Sequence, residues 1–188
     1  MNVSKSKVRK IDGNQNGNDL QISLNGREME EVKKYRYLGV DFTSDGRMHE
    51  EVNHRINDAR KTAGALKCLW RRRSMSVEAK CGMFEGIVEP CLMYGSETWV
   101  LNKREQKKVM AVENDCLRNI CGVRRVDRVR NVEVRRRCGK EANVGVKIGQ
   151  SVLRWFGHVE RMDEERLVKR VYEACVEGAR RRGRPRRG

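Results

Sequence analysis

The chain has 188 residues, enough to bury a core as one domain or two small ones. With 38% hydrophobic, 5% aromatic and 36% charged residues, that core must be lean, yet surviving apolar periodicity excludes full disorder. The net charge of +16 is lopsided: residues 1–100 carry 17 Lys/Arg against 14 Asp/Glu, and residues 101–188 carry 25 against 12, the footprint expected of a polyanion-binding surface.

Residues 1–19 begin with a short Lys-rich, strand-like piece and pass into an Asn/Gly loop. Leu20, Ile22 and Leu24 then alternate up to Asn25-Gly26, a strong short-range hairpin signal. A further strand is predicted from Tyr35 to Phe42. This front part reads as a small β-hairpin or meander, too small to stand alone.

After Gly46 the period becomes helical. Val52, Ile56, Ala59, Ala63, Leu66 and Trp70 form one stripe. Ser76 suits the cap of a second helix with Val77, Cys81, Phe84, Val88 and Cys91 inward, and Pro90 predicts a kink or break there. Asn102 with Glu105 reads as the start of a third helix, with Val109, Val112, Cys116 and Ile120 inward and Gly122 ending it. A short Arg-studded helix is predicted over 131–138, closed by Gly139. Val144, Ile148, Val152, Trp155, Val159 and Met162 make the next stripe; Asp163 is placed as cap of the last helix, with Leu167, Val171 and Cys175 inward. The fold class expected is therefore mainly α: the N-terminal hairpin or meander, a helical bundle, and a disordered Arg-rich tail over 178–188.

Little in the chain supports catalysis. His49, His54 and His158 are scattered, the acids form no compact cluster, and "GVKIG" at 145–149 sits in a helical stripe rather than a phosphate loop. Seven cysteines, an odd number without a Cys-x-x-Cys pair, argue against a disulfide scaffold and for a reducing compartment. The nearest pair, Cys116 and Cys121, has no second pair or His to close a zinc site. No apolar run approaches the roughly 18 residues of a membrane span, and the N-terminus has no signal-peptide core. A soluble, intracellular protein is expected, with no membrane partner.

Binding has more to stand on. Between Arg118 and Arg137 there are eight arginines against Asp127 and Glu133. Cations on a loop and helix can follow a phosphate backbone, with forked contacts from arginine. Arg124, Arg125, Arg128, Arg130, Arg135, Arg136, Arg137 and Arg154 are the candidates here, and Arg182 and Arg184 in the tail. Arg182-Gly183-Arg184-Pro185 is similar to an AT-hook, in which an extended Arg-Gly-Arg lies in a narrow minor groove.

In order and spacing, "NVSKSK", "YLGV", "VEPCLMYGSETW", "LRNICGV", "RVRNVEV", "VLRWFGHVERMD" and "GRP" resemble the C-terminal part of the reverse transcriptase of non-LTR (LINE-type) retrotransposons, over nearly the whole chain. The resemblance implies an end-of-palm remnant and primer-grip-like hairpin in 1–46, a helical thumb in 47–122, and a basic helical extension in 123–177. Lys5 would stand near an incoming nucleotide's phosphates, with Lys7 a second candidate, and Tyr37, Leu38 and Gly39 would occupy the primer grip. RNA and DNA, as a template–primer duplex, would be the partners, in the nucleus. The family's aromatic-Ala-Asp-Asp carboxylates, which hold Mg2+, should lie before "NVSKSK", where this chain has only Met1. This chain is therefore expected to need no cofactor and not to polymerise by itself. Two rivals remain: a stand-alone DNA-binding module, with 131–162 as a helix-turn-helix-like pair and the tail as a minor-groove arm, or a marginally folded relic.

Overall fold

A computed structural model describes residues 7–8, 22–24, 26–44, 46 and 48–174. Lys5, Leu20, Asn25, Cys175, Arg182, Arg184 and the Arg-rich tail lie outside the described residues. Two short antiparallel hairpins open the chain: β1 (Ser23–Leu24) with β2 (Arg27–Glu28), and β3 (Lys34–Tyr37) with β4 (Val40–Thr43). Val8 makes a parallel bridge with Glu31, its N–H reaching the Glu30 carbonyl at 3.1 Å.

The single strand expected over 35–42 is a hairpin instead. Tyr35 pairs with Phe42 and Tyr37 with Val40, and the chain reverses at Leu38-Gly39, whose φ angles are 48° and 83°. Two consecutive positive φ angles give a two-residue turn whose twist suits flanking strands. Gly39 takes this without strain, whereas a leucine there costs on the order of 1–2 kcal/mol, so apolar continuity disguised the turn. Tertiary contacts override that cost. Tyr94 Oη donates to the Leu38 carbonyl at 2.7 Å, and the Arg55 guanidinium donates to the Gly39 carbonyl.

The helices follow: α1 (His49–Trp70), α2 (Val77–Met83), α3 (Glu89–Met93), α4 (Lys103–Cys121), α5 (Asn131–Arg137), α6 (Val144–Glu160) and α7 (Leu167–Glu173). Their boundaries have local causes. Ser76 Oγ accepts the Ala79 N–H at 3.2 Å, capping α2. Asn102 Oδ1 accepts from Arg104 and Glu105, and Glu105 returns a carboxylate to the Asn102 N–H at 3.0 Å, the full capping box. Gly122, at φ 66°, ends α4 in the left-handed conformation. At Pro90 the helix neither stops nor continues as an ordinary α-helix. A π-helical turn, Phe84–Val88, widens the coil just before it and joins α2 to α3.

The core runs unbroken from Val52, Ile56 and Ala59 on α1 through Phe84, Val88 and Leu92 to Val109, Val112 and Leu117 on α4, then Val134, Val144 and Ile148. One core thus spans both sides of position 122.

Three C-terminal expectations fail. Trp155, placed inward by its spacing, is 40% exposed, because the buried face of α6 runs through Val144, Ile148 and Val159. Asp163 caps nothing with its side chain: it sits in a turn, and α7 begins at Leu167 after Arg166. Leu167 and Val171 point outward, while Lys169 is the buried residue of α7, paired with Glu160 at 3.1 Å. An ion pair, not an apolar stripe, seats this helix.

The β3–β4 hairpin is joined to α1 by charge. Glu51, fully buried, accepts the Asp41 N–H at 2.7 Å and the Arg55 Nε at 2.5 Å. The Arg55 guanidinium also lies 4.7 Å above the Tyr94 ring. Replacing Arg55 by Met should strand the Glu51 carboxylate in the interior and cost about 3–5 kcal/mol. In a thermal melt this reads as a midpoint lowered by on the order of 10 °C. An unchanged midpoint would show that the pair does not hold the hairpin.

Candidate nucleic-acid interface

The C-terminal end of α4, the 123–130 loop and α5 form a basic corner. Its geometry starts at Arg118, which sequence reasoning did not select. Arg118 donates to the Val129 carbonyl at 2.6 Å, to Asn131 Oδ1 at 2.8 Å and to the Arg124 carbonyl at 3.5 Å, tying both ends of the loop to α4. Inside the loop, Asp127 accepts the Arg124 N–H at 2.6 Å, closing the 3-10 turn Arg125–Asp127. Arg128 ends that turn at φ 51°, an uncommon conformation for a residue with a β-carbon. Arg118, Arg125 and Arg128 line a cleft of about 310 Å³ together with Asn114, Asp115 and Asn131.

The arginines selected from sequence divide into three groups. Arg124, Arg128 and Arg130 are exposed and, among the described residues, make no ion pair. Arg125, Arg136 and Arg137 are exposed but paired. Arg125 meets Asp115 at 2.7 Å, and Arg136 and Arg137 meet Glu133 at 2.8 and 3.0 Å. Those two guanidiniums pull the Glu133 carboxyl down to about 2. Arg135 turns inward. Its side chain is 13% exposed and pairs with Glu113 at 3.3 Å and with Asn114 at 3.1 Å. Glu113 also accepts the Val144 N–H at 3.2 Å, so one carboxylate joins α4, α5 and the start of α6; its burial raises its pKa despite Arg135. Arg154 stands exposed on α6.

Tyr37, Leu38 and Gly39 lie together at the β3–β4 turn. Tyr37 and Leu38 line a groove of about 480 Å³ with Tyr94, Met93, Pro90 and Ser151. Leu38 is 73% exposed at its rim. Lys7, the second lysine candidate, pairs with Glu30.

The histidines are dispersed as expected: His54 contacts Arg36 and Asp58, His49 contacts Glu105, and the His158 ring lies 5.6 Å from that of Trp155. Among the described residues, no three His, Cys, Asp or Glu side chains are grouped so as to hold a metal ion. No described helix is long and apolar enough to cross a membrane.

Fold and site define a mainly helical protein with a small β-hairpin and an arginine-lined corner. No protein-family model and no solved structure matches the chain. It is similar, at 27% identity over 124 residues, to the RNA-directed DNA polymerase from the mobile element jockey of Drosophila melanogaster, the match covering 64% of this chain and 13% of that protein. It is likewise 27% identical over 99 residues to a transposon-derived protein of Caenorhabditis elegans, covering 51% of this chain and 34% of the other. The matches thus span only 13% of the first relative and 34% of the second, and together they support a retrotransposon origin.

The Glu133 shift gives a directly measurable consequence. Because its folded pKa lies below the ordinary 4.5, the contribution of its pairs is present above that value and lost as pH falls towards about 2. A carboxyl-carbon NMR titration should place the Glu133 midpoint near about 2, and an Arg136→Ala, Arg137→Ala variant should return it towards 4.5. A midpoint already near 4.5 in the unaltered protein would mean the fork is not formed.

Proposed function

We propose that this chain is part of a retrotransposon RNA-directed DNA polymerase, and that it holds nucleic acid without polymerising by itself. The observation that carries the binding reading is the basic corner: exposed cations gathered on one loop and helix, around an arginine-lined cleft. The similarity to the jockey polymerase supplies the polymer class. In this reading Arg124, Arg128 and Arg130 meet phosphates directly, with Arg125, Arg136 and Arg137 joining when phosphate displaces their carboxylates. Arg118 and Arg135 position the others. Arg154, and Arg182 and Arg184 in the tail, add to the same electrostatic attraction.

The template–primer duplex is the proposed ligand, since phosphate contacts of this kind follow a duplex irrespective of base sequence. Tyr37, Leu38 and Gly39 are proposed to meet the primer end, and Lys5 the nucleotide phosphates; Mg2+ would belong to the carboxylates of the complete polymerase. The thumb-like 47–122 and the basic extension 123–177 would share this work. The reading carries a nuclear location with it. A helix-turn-helix-like use of α5 and α6 draws no comparable support. The exposed side chains of α6 include Leu153, Trp155 and Phe156, with Arg154 the one arginine among them.

Fluorescence anisotropy on an RNA–DNA hybrid should show binding that weakens steeply with salt. Arg124, Arg128 and Arg130 should together contribute roughly −3 to the slope of log K against log salt, each Arg→Ala change at 124, 128 or 130 removing about 1. Glu133→Gln should release Arg136 and Arg137, tightening binding and steepening the slope by up to about 2. Salt-insensitive or absent binding would overturn the reading.

A further inference from the structure

The arginine corner closes on a pair of thiols. Cys121, the last residue of α4, and Cys138, the residue after α5, are 17 residues apart in sequence, and their Sγ atoms lie 3.2 Å apart. This is closer than two sulfurs sit in mere contact. Both thiols are also placed against backbone of the opposite helix, Cys121 towards the Val134 carbonyl at 3.9 Å and Cys138 towards the Leu117 carbonyl at 4.0 Å. A third thiol, Cys81 on α2, is a near neighbour that perturbs Cys138. Cys121 is half-buried, while Cys81 and Cys138 are buried. Between the paired thiols lie Arg124, Arg125, Arg128, Arg130, Arg135, Arg136 and Arg137, so a bond here would close a loop holding every corner arginine except Arg118.

We propose that Cys121 and Cys138 form a reversible disulfide that locks the arginine corner against α4. The oxidant class is a hydroperoxide, for which the half-buried Cys121 is the accessible member. The Cys121 thiol gives up its proton, its thiolate attacks the peroxide oxygen and the O–O bond breaks; the cysteine becomes a sulfenic acid, and the hydroxide or alkoxide released takes up that proton and leaves as water or an alcohol. The Cys138 sulfur then attacks the Cys121 sulfur; the S–O bond breaks, the Cys138 proton leaves with the hydroxyl as a second water, and the S–S bond forms. Two electrons pass from the thiol pair to the peroxide, and a dithiol reductant reverses the change. Burial pushes the Cys138 thiol up, so the closing attack of Cys138 on the oxidised Cys121 sulfur is slow at neutral pH and quickens as pH rises. Closing the loop restricts the corner in its free state, so less order remains to be imposed on binding. Only this last consequence rests on the nucleic-acid reading; the bridge itself does not.

The test treats the full chain with hydrogen peroxide, blocks remaining thiols by alkylation, and maps cross-linked peptides by mass spectrometry. Amide exchange of residues 122–137 is followed in both redox forms. The expected result is a bridge joining Cys121 to Cys138, slower exchange across the loop, reversal by dithiothreitol, and loss of both effects in Cys121→Ser but not in Cys68→Ser. A bridge that instead joins Cys81 to Cys138, over-oxidation of Cys121 without a bridge, or a bridge with unchanged exchange would overturn the proposal. Hybrid affinity is measured alongside, with an increase of roughly tenfold expected on oxidation. Absence of binding in both redox forms would count against the nucleic-acid reading while leaving the bridge standing; unchanged binding in a bridged protein would overturn the functional lock.

Discussion

The fold depends on one buried ion pair. Glu51 and Arg55 stand one turn apart on α1, and between them they hold the Asp41 N–H, the Gly39 carbonyl and the face of Tyr94. Two charges taken out of water are costly unless further polar contacts satisfy them. Here each partner has such a contact, and each contact lies on the same β-hairpin or the helix behind it. An apolar interface of this size could slide; a carboxylate that must receive one specific N–H cannot. The clamp therefore sets the register of the hairpin against the helices. It also holds Leu38 in a backbone conformation that an isolated hairpin of this sequence would resist.

A second junction repeats the device in the middle of α4. Glu113 is buried, takes the Val144 N–H and pairs with Arg135, so a single carboxylate sets where α5 and α6 begin their packing. Its raised pKa reflects desolvation outweighing these partners, the signature of a charge kept for geometry more than for stability. Lys169 against Glu160 does the same for α7 on a smaller scale. In a chain with so few apolar residues, buried or half-buried ion pairs take positions that larger cores give to leucine.

This economy also decides what could be read in the sequence. Helices with dedicated caps and wide apolar stripes were legible: α1 from its six-residue stripe, α2 from Ser76, α4 from Asn102 and Glu105. Elements seated by charge were not. The apolar period placed Leu167 and Val171 inward on α7, yet the helix turns its lysine to the protein. The Leu38-Gly39 turn was hidden because only tertiary hydrogen bonds make a leucine tolerable there. Within the basic corner, residue type marked the segment but not which of its arginines are buried or paired. Arg135 carries the same charge as Arg136, and only the position of Glu113 on α4 separates a buried, paired arginine from an exposed one. The approach of Cys121 to Cys138 had no spacing signature either, since a helix–loop–helix fold, not a local motif, brings them together.

The corner shows how a strongly basic surface is kept in shape. Its arginines repel one another, and its apolar anchors are few: Val134 is buried and Val129 partly so, while Val126 and Val132 face outward. What counters the repulsion is a set of acids placed beneath or within the arginine array. Asp115 holds Arg125, Glu133 spans Arg136 and Arg137, Asp127 closes the turn on the Arg124 N–H, and Glu113 fixes Arg135. These acids reduce the free charge offered to a polyanion, but without them the guanidiniums would have no common framework. Net charge therefore overstates the attraction available at first contact. If the corner meets a polyanion as proposed, Arg124, Arg128 and Arg130, which make no ion pair among the described residues, would supply that first attraction, and the paired arginines would add theirs only as phosphate takes the place of carboxylate.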